Sequence, residues 1–205
     1  MSDSACTVRV GQVVPDFKLT TFLPTEGGFG EFDLAAARKN KQWTAVVFYP
    51  ADFTFVCATE FAALAALYAE FKKNKCEVLT VSTDTQFTHL AWAREEKELA
   101  KAEFPMGADP TGKVSRMFGV YDEGSGLALR GSFLISPEGK LTNSEINFYN
   151  VGRNMDELLR KLKANVYLAK NGEQACPANW KQAGDATLTP GPKLVGRVHD
   201  ALKKK

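Results

Sequence analysis

Residues 44–49, TAVVFY, form an uninterrupted β-branched and aromatic run between Trp43 and Pro50, with no alternation of polar positions. A run of this kind reads as a strand buried on both faces, and such a strand needs a layer of structure on each side of its sheet. Helical periodicity follows at once. Phe61, Leu64, Ala65, Tyr68 and Phe71 recur at three-and-four spacing on one face, Lys72, Lys73 and Lys75 collect where the helix dipole favours cations, and Asn74 offers a stop.

The alternation continues. Residues 77–83 (EVLTVST) predict a strand and 86–102 (QFTHLAWAREEKELAKA) a helix, and Pro110 opens a short helix ending near Phe118. Residues 127–136 and 140–149 then flank Pro137, Glu138 and Gly139, a turn cluster that joins antiparallel strands. A last amphipathic helix spans 154–169, with Met155, Leu158, Leu159, Leu162 and Val166 on one face. A β-α-β-α half, a hairpin and a closing helix make an α/β fold with a mixed central sheet flanked by helices, which resembles the thioredoxin-like fold. Beyond Lys170 the pattern breaks into Gly, Pro and polar residues, so this extended tail is either disordered or held by packing. At about 150 residues per domain, 205 residues are one domain plus an appendage. The expected division is 1–169 and a C-terminal arm, 170–205.

Composition removes several classes of function. Lys and Arg number 26 against 24 Asp and Glu, and their signs alternate along the chain, so no concentrated basic face is available for nucleic acid. The terminal Lys203, Lys204 and Lys205 read as a solvated end. No stretch approaches the roughly 18 consecutive apolar residues of a bilayer span. The N-terminal MSDSACTVRVG has neither a basic nor an apolar leader pattern. The expectation is a soluble cytoplasmic chain with no membrane and no nucleic-acid partner.

Cys6, Cys57, Cys76 and Cys176 are too far apart for a C-x-x-C pair or a close-spaced zinc site, so each thiol is judged by its surroundings. Cys57 lies in FYPADFTFVCATE, between a buried strand and an amphipathic helix, which puts its sulfur in or near a helical first turn. Unpaired N–H groups and the positive dipole end there favour a thiolate, the nucleophilic form. Thr54 is placed either to cap that turn or to offer its hydroxyl to the sulfur and its substrate. Pro50 sets the chain direction at the strand exit.

The string P-x-x-x-T-x-x-C at Pro50, Thr54 and Cys57 resembles the peroxiredoxin active-site loop. The likeness extends through VSTDTQFTHLAW (81–92), LRGSF (129–133), VGRNMDELLRKLKA (151–164) and GEQACPANW (172–180), nearly the whole chain. Together these resemble a typical two-cysteine peroxiredoxin of the alkyl hydroperoxide reductase C group. The resemblance implies that Cys57 is the peroxidatic cysteine, that Thr54 orients the peroxide, and that Arg130 holds the thiolate and polarises the O–O bond. It makes Glu60 and Arg153 a pair supporting Arg130, and Cys176 the resolving cysteine, forming a disulfide with Cys57 of a neighbouring protomer. It further implies a homodimer, assembling into a ring of dimers (a decamer in the family), that needs no metal, haem or flavin. A peroxide is its substrate, and thioredoxin or a flavoprotein disulfide reductase its electron donor. Cys76 is expected to be a packing residue and Cys6 an incidental thiol.

The chain departs from the family at Ala58, where proline is usual, and at Ala175, where valine is usual. It also lacks the G-G-L-G insertion and terminal Y-F pair of overoxidation-sensitive members. GADPTGKV (107–114) begins like a phosphate-binding loop, but Val114 replaces the required Ser or Thr and Pro110 removes a donor. His89 and His199, the only histidines, adjoin no Cys block, and His89 is expected on a helix face where protomers meet. The rival function is a redox-linked binding or chaperone protein using the same disulfide.

Overall fold

The structure, a computed structural model, describes residues 7–203. Cys6, Lys204 and Lys205 therefore lie outside the described residues. Tertiary contacts divide the chain into two compact units, the first ending at Met155 and the second beginning at Asp156.

The first unit is built on one seven-stranded sheet. Its strands are Lys18–Leu23 (β1), Gly28–Asp33 (β2), Trp43–Phe48 (β3), Cys76–Ser82 (β4), Met106–Ala108 (β5), Arg130–Ile135 (β8) and Leu141–Asn147 (β9). A separate ribbon pairs Tyr121–Asp122 (β6) with Leu127–Ala128 (β7). The sheet order is β2-β1-β5-β4-β3-β8-β9. β3, β4 and β5 run parallel at the centre, and the outer pairs are antiparallel. This is the mixed α/β arrangement expected of a thioredoxin-like fold.

Every residue of β3 is buried, as its unbroken apolar run requires. Alternate side chains point to opposite faces. Val46 and Phe48 join Leu79, Val81 and Phe133 on one face, where Leu34–Lys39 (α1) adds Leu34 and Ala37, and Lys113–Met117 (α4) adds Val114. Phe118, just after α4, lies 4.7 Å from Phe133 between ring centroids. On the other face Tyr49 meets Phe61 of Phe55–Lys73 (α2) at 5.0 Å and Trp92 of Gln86–Glu95 (α3) at 5.9 Å.

Several elements differ from expectation. The helix anticipated over 86–102 ends at Glu95, because Glu96 turns extended and its carboxylate accepts from Glu98 N, starting a 3-10 turn at 97–99. That break buries Leu99 and Ala102, which a continuous helix through charged neighbours does not do. The strand anticipated over 127–136 divides at Leu129, with β7 pairing with β6 and β8 entering the main sheet. The β8–β9 hairpin carries a bulge between Leu134 and Ile135, where the Thr142 hydroxyl donates to Leu134 O.

The GADPTGKV segment is closed to phosphate by its own residues. The Asp109 carboxylate accepts from Ser115 N at 2.7 Å and from Ser115 Oγ at 2.8 Å, filling the start of α4. Gly112, which precedes α4, has φ of +66°, and a Cβ there would lie 2.3 Å from the Tyr121 ring.

The second unit opens with most of helix Met155–Lys170 (α5) and ends with Val198–Lys203 (α6). Its irregular segment is packed on α5: Trp180 is buried, its ring 5.4 Å from Tyr167, and its carbonyl accepts from Arg160 Nη1. Gln174 Oε1 accepts from both Tyr167 Oη and Thr187 Oγ1, and Ala175 bridges to Leu188.

Gly112→Ala is expected to lose about 2–4 kcal/mol through left-handed strain plus overpacking against Tyr121. A lowered urea midpoint at unchanged m-value measures this.

Candidate active site

The chain leaves β3 through Pro50 and enters α2 at Phe55, with Thr54 as the extended N-cap residue (φ −117°, ψ 158°). Cys57 is therefore in the first turn, as its position between strand and helix predicts. The Thr54 hydroxyl makes no capping bond to that turn and donates to Ala51 O at 2.7 Å instead. Ala58 N donates to Thr54 O at 3.4 Å, a bond that the proline usual at this position rules out.

Cys57 is fully buried, yet it does not sit in an apolar pocket. Arg130, the first residue of β8, brings Nη1 to 3.2 Å from the Cys57 sulfur and 2.8 Å from Glu60 Oε2. Its Nε donates to Tyr149 O at 2.7 Å. Glu60, three residues after Cys57 on α2, also receives Arg153: N and Nε donate to Oε1, both at 2.9 Å, and Nη2 to Oε2 at 2.8 Å. Arg153 Nη1 donates to Gly131 O at 2.7 Å and Ser132 Oγ at 3.2 Å. All three charged side chains are nearly inaccessible.

Burial alone would push the Glu60 carboxyl up, but the hydrogen bonds and charge of Arg153, with the charge of Arg130, hold it below the usual carboxylate range. One carboxylate between two guanidiniums leaves one positive charge unmatched, and the Cys57 sulfur is what Arg130 faces next. A cationic donor so placed stabilises negative charge on sulfur or on an atom bonded to it.

Further polar groups surround the loop before α2, and sequence reading missed their connection. The Asp52 carboxylate accepts from Tyr49 Oη at 2.7 Å and lies 2.7 Å from His89 Nδ1, while Asp52 N donates to Asp84 Oδ2 at 2.9 Å. Burial pushes the Asp52 carboxyl up, with its hydrogen bond to His89 opposing. His89 is wholly buried inside the chain, so its expected place on a helix face between protomers is corrected. Asp52 and His89 each stand in a family-like string, but 37 residues separate them and no local pattern joins them.

Cys176 belongs to the second unit, half-buried. Burial pushes its thiol up, and the Arg160 charge opposes that shift. Cys76 is buried in β4, and burial with the nearby Glu77 charge drives its thiol far above the ordinary range, in keeping with a packing role.

Residues 10–144 match the AhpC/TSA family. The chain is 40% identical over 189 residues to the alkyl hydroperoxide reductase C of Amphibacillus xylanus, covering 92% of this chain and 98% of that protein. It is 42% identical over 170 residues to its namesake from Escherichia coli K12, covering 82% and 90%. Among solved structures, the reduced 2-Cys peroxiredoxin of Plasmodium vivax superposes with a TM-score of 0.83 at 32% identity, covering 90% of this chain and 94% of that one. Enterococcus faecalis AhpC gives 0.76 at 39% identity, covering 83% and 100%.

The folded Glu60 carboxyl titrates below its unfolded value, so its stabilisation is complete above the ordinary glutamate pKa of about 4.3 and is lost as pH falls through the lower folded value. Glu60→Gln is expected to cost about 3–5 kcal/mol near neutrality by leaving buried guanidiniums uncompensated. Melting temperatures of the two proteins should converge as the medium is taken below that range.

Proposed function

Since the chain belongs to the AhpC/TSA family, we propose that it is a thiol-dependent peroxidase, reducing hydrogen peroxide and organic hydroperoxides, whose chemistry begins at Cys57. The observation that carries this reading is the Arg130 guanidinium 3.2 Å from a sulfur in a helical first turn. An anionic sulfur brings the Glu60, Arg130 and Arg153 cluster to neutrality, which supports a thiolate as the resting nucleophile.

The thiolate attacks the terminal oxygen of ROOH, forming an S–O bond as the O–O bond breaks. Its electron pair goes to the leaving alkoxide, which takes up a proton to become ROH. Arg130 serves both ends of this displacement: it holds sulfur before attack, and its fixed N–H fork can follow charge onto the departing oxygen. Thr54 gives its own hydrogen to Ala51 O, leaving its oxygen lone pairs to accept the peroxide O–H. Pro50 sets the chain direction ahead of this loop. Glu60 and Arg153 keep the Arg130 fork in place.

The Cys57 sulfenic acid then condenses with the Cys176 thiol of a second protomer, releasing water and leaving a disulfide. An external dithiol, that of thioredoxin or of a flavoprotein disulfide reductase, takes the disulfide's place by exchange and restores both thiols. In this scheme residues 170–205 act as the arm that delivers Cys176 to its partner.

Two surfaces support assembly from copies of this chain. β9 is an edge strand, and Ile146, Phe148 and Val151 are exposed along and just beyond it. Phe53, Phe55 and Phe87 are also exposed, Phe55 at 92%, a large apolar display for a lone molecule. These fit a homodimer and a further contact between dimers. Among the described residues no helix is long and apolar enough to cross a membrane.

Cys57→Ser should abolish peroxide reduction, and Cys176→Ser should complete one turnover and then stall with a thioredoxin system. Non-reducing electrophoresis after one equivalent of peroxide should give a dimer band that dithiothreitol or either substitution removes. Normal cycling of Cys176→Ser would refute the two-cysteine scheme, and stoichiometric oxidation of the native chain without turnover would favour a binding or chaperone role.

A further inference from the structure

The loop between β3 and α2 holds its shape against local strain. Phe53 has φ of +56°, a left-handed conformation that is strained for a bulky residue and survives only when its surroundings over-determine it. The surroundings here are polar and specific. The peptide unit joining Ala51 to Asp52 is held at both ends: its carbonyl accepts the Thr54 hydroxyl at 2.7 Å, and its N–H donates to Asp84 Oδ2 at 2.9 Å. The same Asp84 oxygen accepts from Ser82 Oγ at 2.7 Å at the end of β4.

The Asp52 side chain supplies the second anchor. Both carboxyl oxygens are engaged, Oδ1 by Tyr49 Oη and Oδ2 by His89 Nδ1, each at 2.7 Å. His89 Nε2 lies 3.2 Å from Gly107 O on β5. A carbonyl only accepts, so Nε2 carries a hydrogen, and a further hydrogen lies between Nδ1 and Oδ2. The pair is thus neutral overall, as full burial favours, and it ties the loop to α3 and, through His89, to β5.

We propose that Asp52, His89 and Asp84 are positioning residues for the peroxide step. They fix the Ala51–Asp52 peptide so that its carbonyl takes the Thr54 hydrogen and the Thr54 lone pairs face the incoming peroxide O–H. None of the three touches the reacting atoms. The inference rests on the peroxidase reading of Cys57 and assigns to it residues outside the P-x-x-x-T-x-x-C string and the arginine cluster.

The test compares two reactions of one sulfur in the full-length reduced protein: stopped-flow oxidation of Cys57 by hydrogen peroxide, and alkylation by iodoacetamide, which needs no O–H acceptor. Asp52→Ala, His89→Ala and Asp84→Ala are each expected to slow oxidation by about 10–100-fold, the scale of a misplaced orienting group, and to change alkylation by no more than about twofold. Asp52→Asn should recover most of the Asp52→Ala loss, because its amide oxygen can accept from Tyr49 and its NH₂ can donate to His89 Nδ1. If Asp52→Ala does not fold, Tyr49→Phe removes one hydroxyl, and with it the bond to Asp52 and the 3.3 Å contact with His89 Nδ1, and should slow oxidation about threefold with alkylation unchanged. Folded variants that oxidise at the native rate overturn the proposal, as does a parallel fall in both reactions, which would mean general loosening of the helix start. A native protein whose Cys57 reacts no faster with peroxide than an ordinary thiol would instead overturn the peroxidase reading itself.

Discussion

The site depends on one carboxylate shared by two guanidiniums. Glu60 comes from α2, Arg130 from the start of β8 and Arg153 from the segment before α5, so three distant parts of the chain meet at two oxygens. In a buried position an unpaired charge is costly, and a paired one is held only in the geometry that satisfies it. The geometry here uses the fork of each arginine: Arg130 spends Nε on Tyr149 O and Nη1 on both Glu60 and the Cys57 sulfur, while Arg153 divides itself between Glu60 and β8. Arg130 is therefore aimed at the sulfur by groups that do not touch the sulfur.

The other side of Cys57 is organised by a different balance. The β3–α2 loop contains an aromatic residue in left-handed backbone conformation, against its intrinsic preference, and a carboxylate anchored to a tyrosine and a histidine. The arginine cluster carries surplus positive charge suited to an anion, whereas the loop is held by the Asp52 and Asp84 carboxylates through Tyr49, His89 and its own backbone. One network faces the sulfur with charge, and the other holds the peptide whose carbonyl takes the Thr54 hydrogen.

The centre of the fold was legible because its signals are local. The run at 44–49 announced a strand covered on both faces, Asn74 and the preceding lysines marked the end of α2, and Pro137 to Gly139 marked the β8–β9 turn. Where elements were misjudged, the competing signal was tertiary. EEKELAKA has good helical residues, but burial of Leu99 and Ala102 breaks the helix at Glu96. The start of α2 precedes the apolar periodicity because Phe55 faces solvent and Val56 is only partly buried. The hairpin of β1 and β2 carries Pro24 and Gly27–Gly28 as its turn marks, and the strand divides at Leu129 because its N–H is taken by Val120 O while its carbonyl accepts from Gly131 N.

Sequence alone determined that Cys57 stands where a strand gives way to a helix, which residue types surround it, and that Thr54, Glu60, Arg130 and Arg153 fall at the positions of a family pattern. These are facts of order and composition along the chain. Tertiary structure alone decided that Arg130 reaches the sulfur, that the Thr54 hydroxyl turns to Ala51 rather than to the helix, and that His89 is an internal partner of Asp52. The physical reason is range: helix and strand preferences act between near neighbours, whereas a buried charge or hydroxyl takes its partner from whatever the packed sheet brings within about 3 Å.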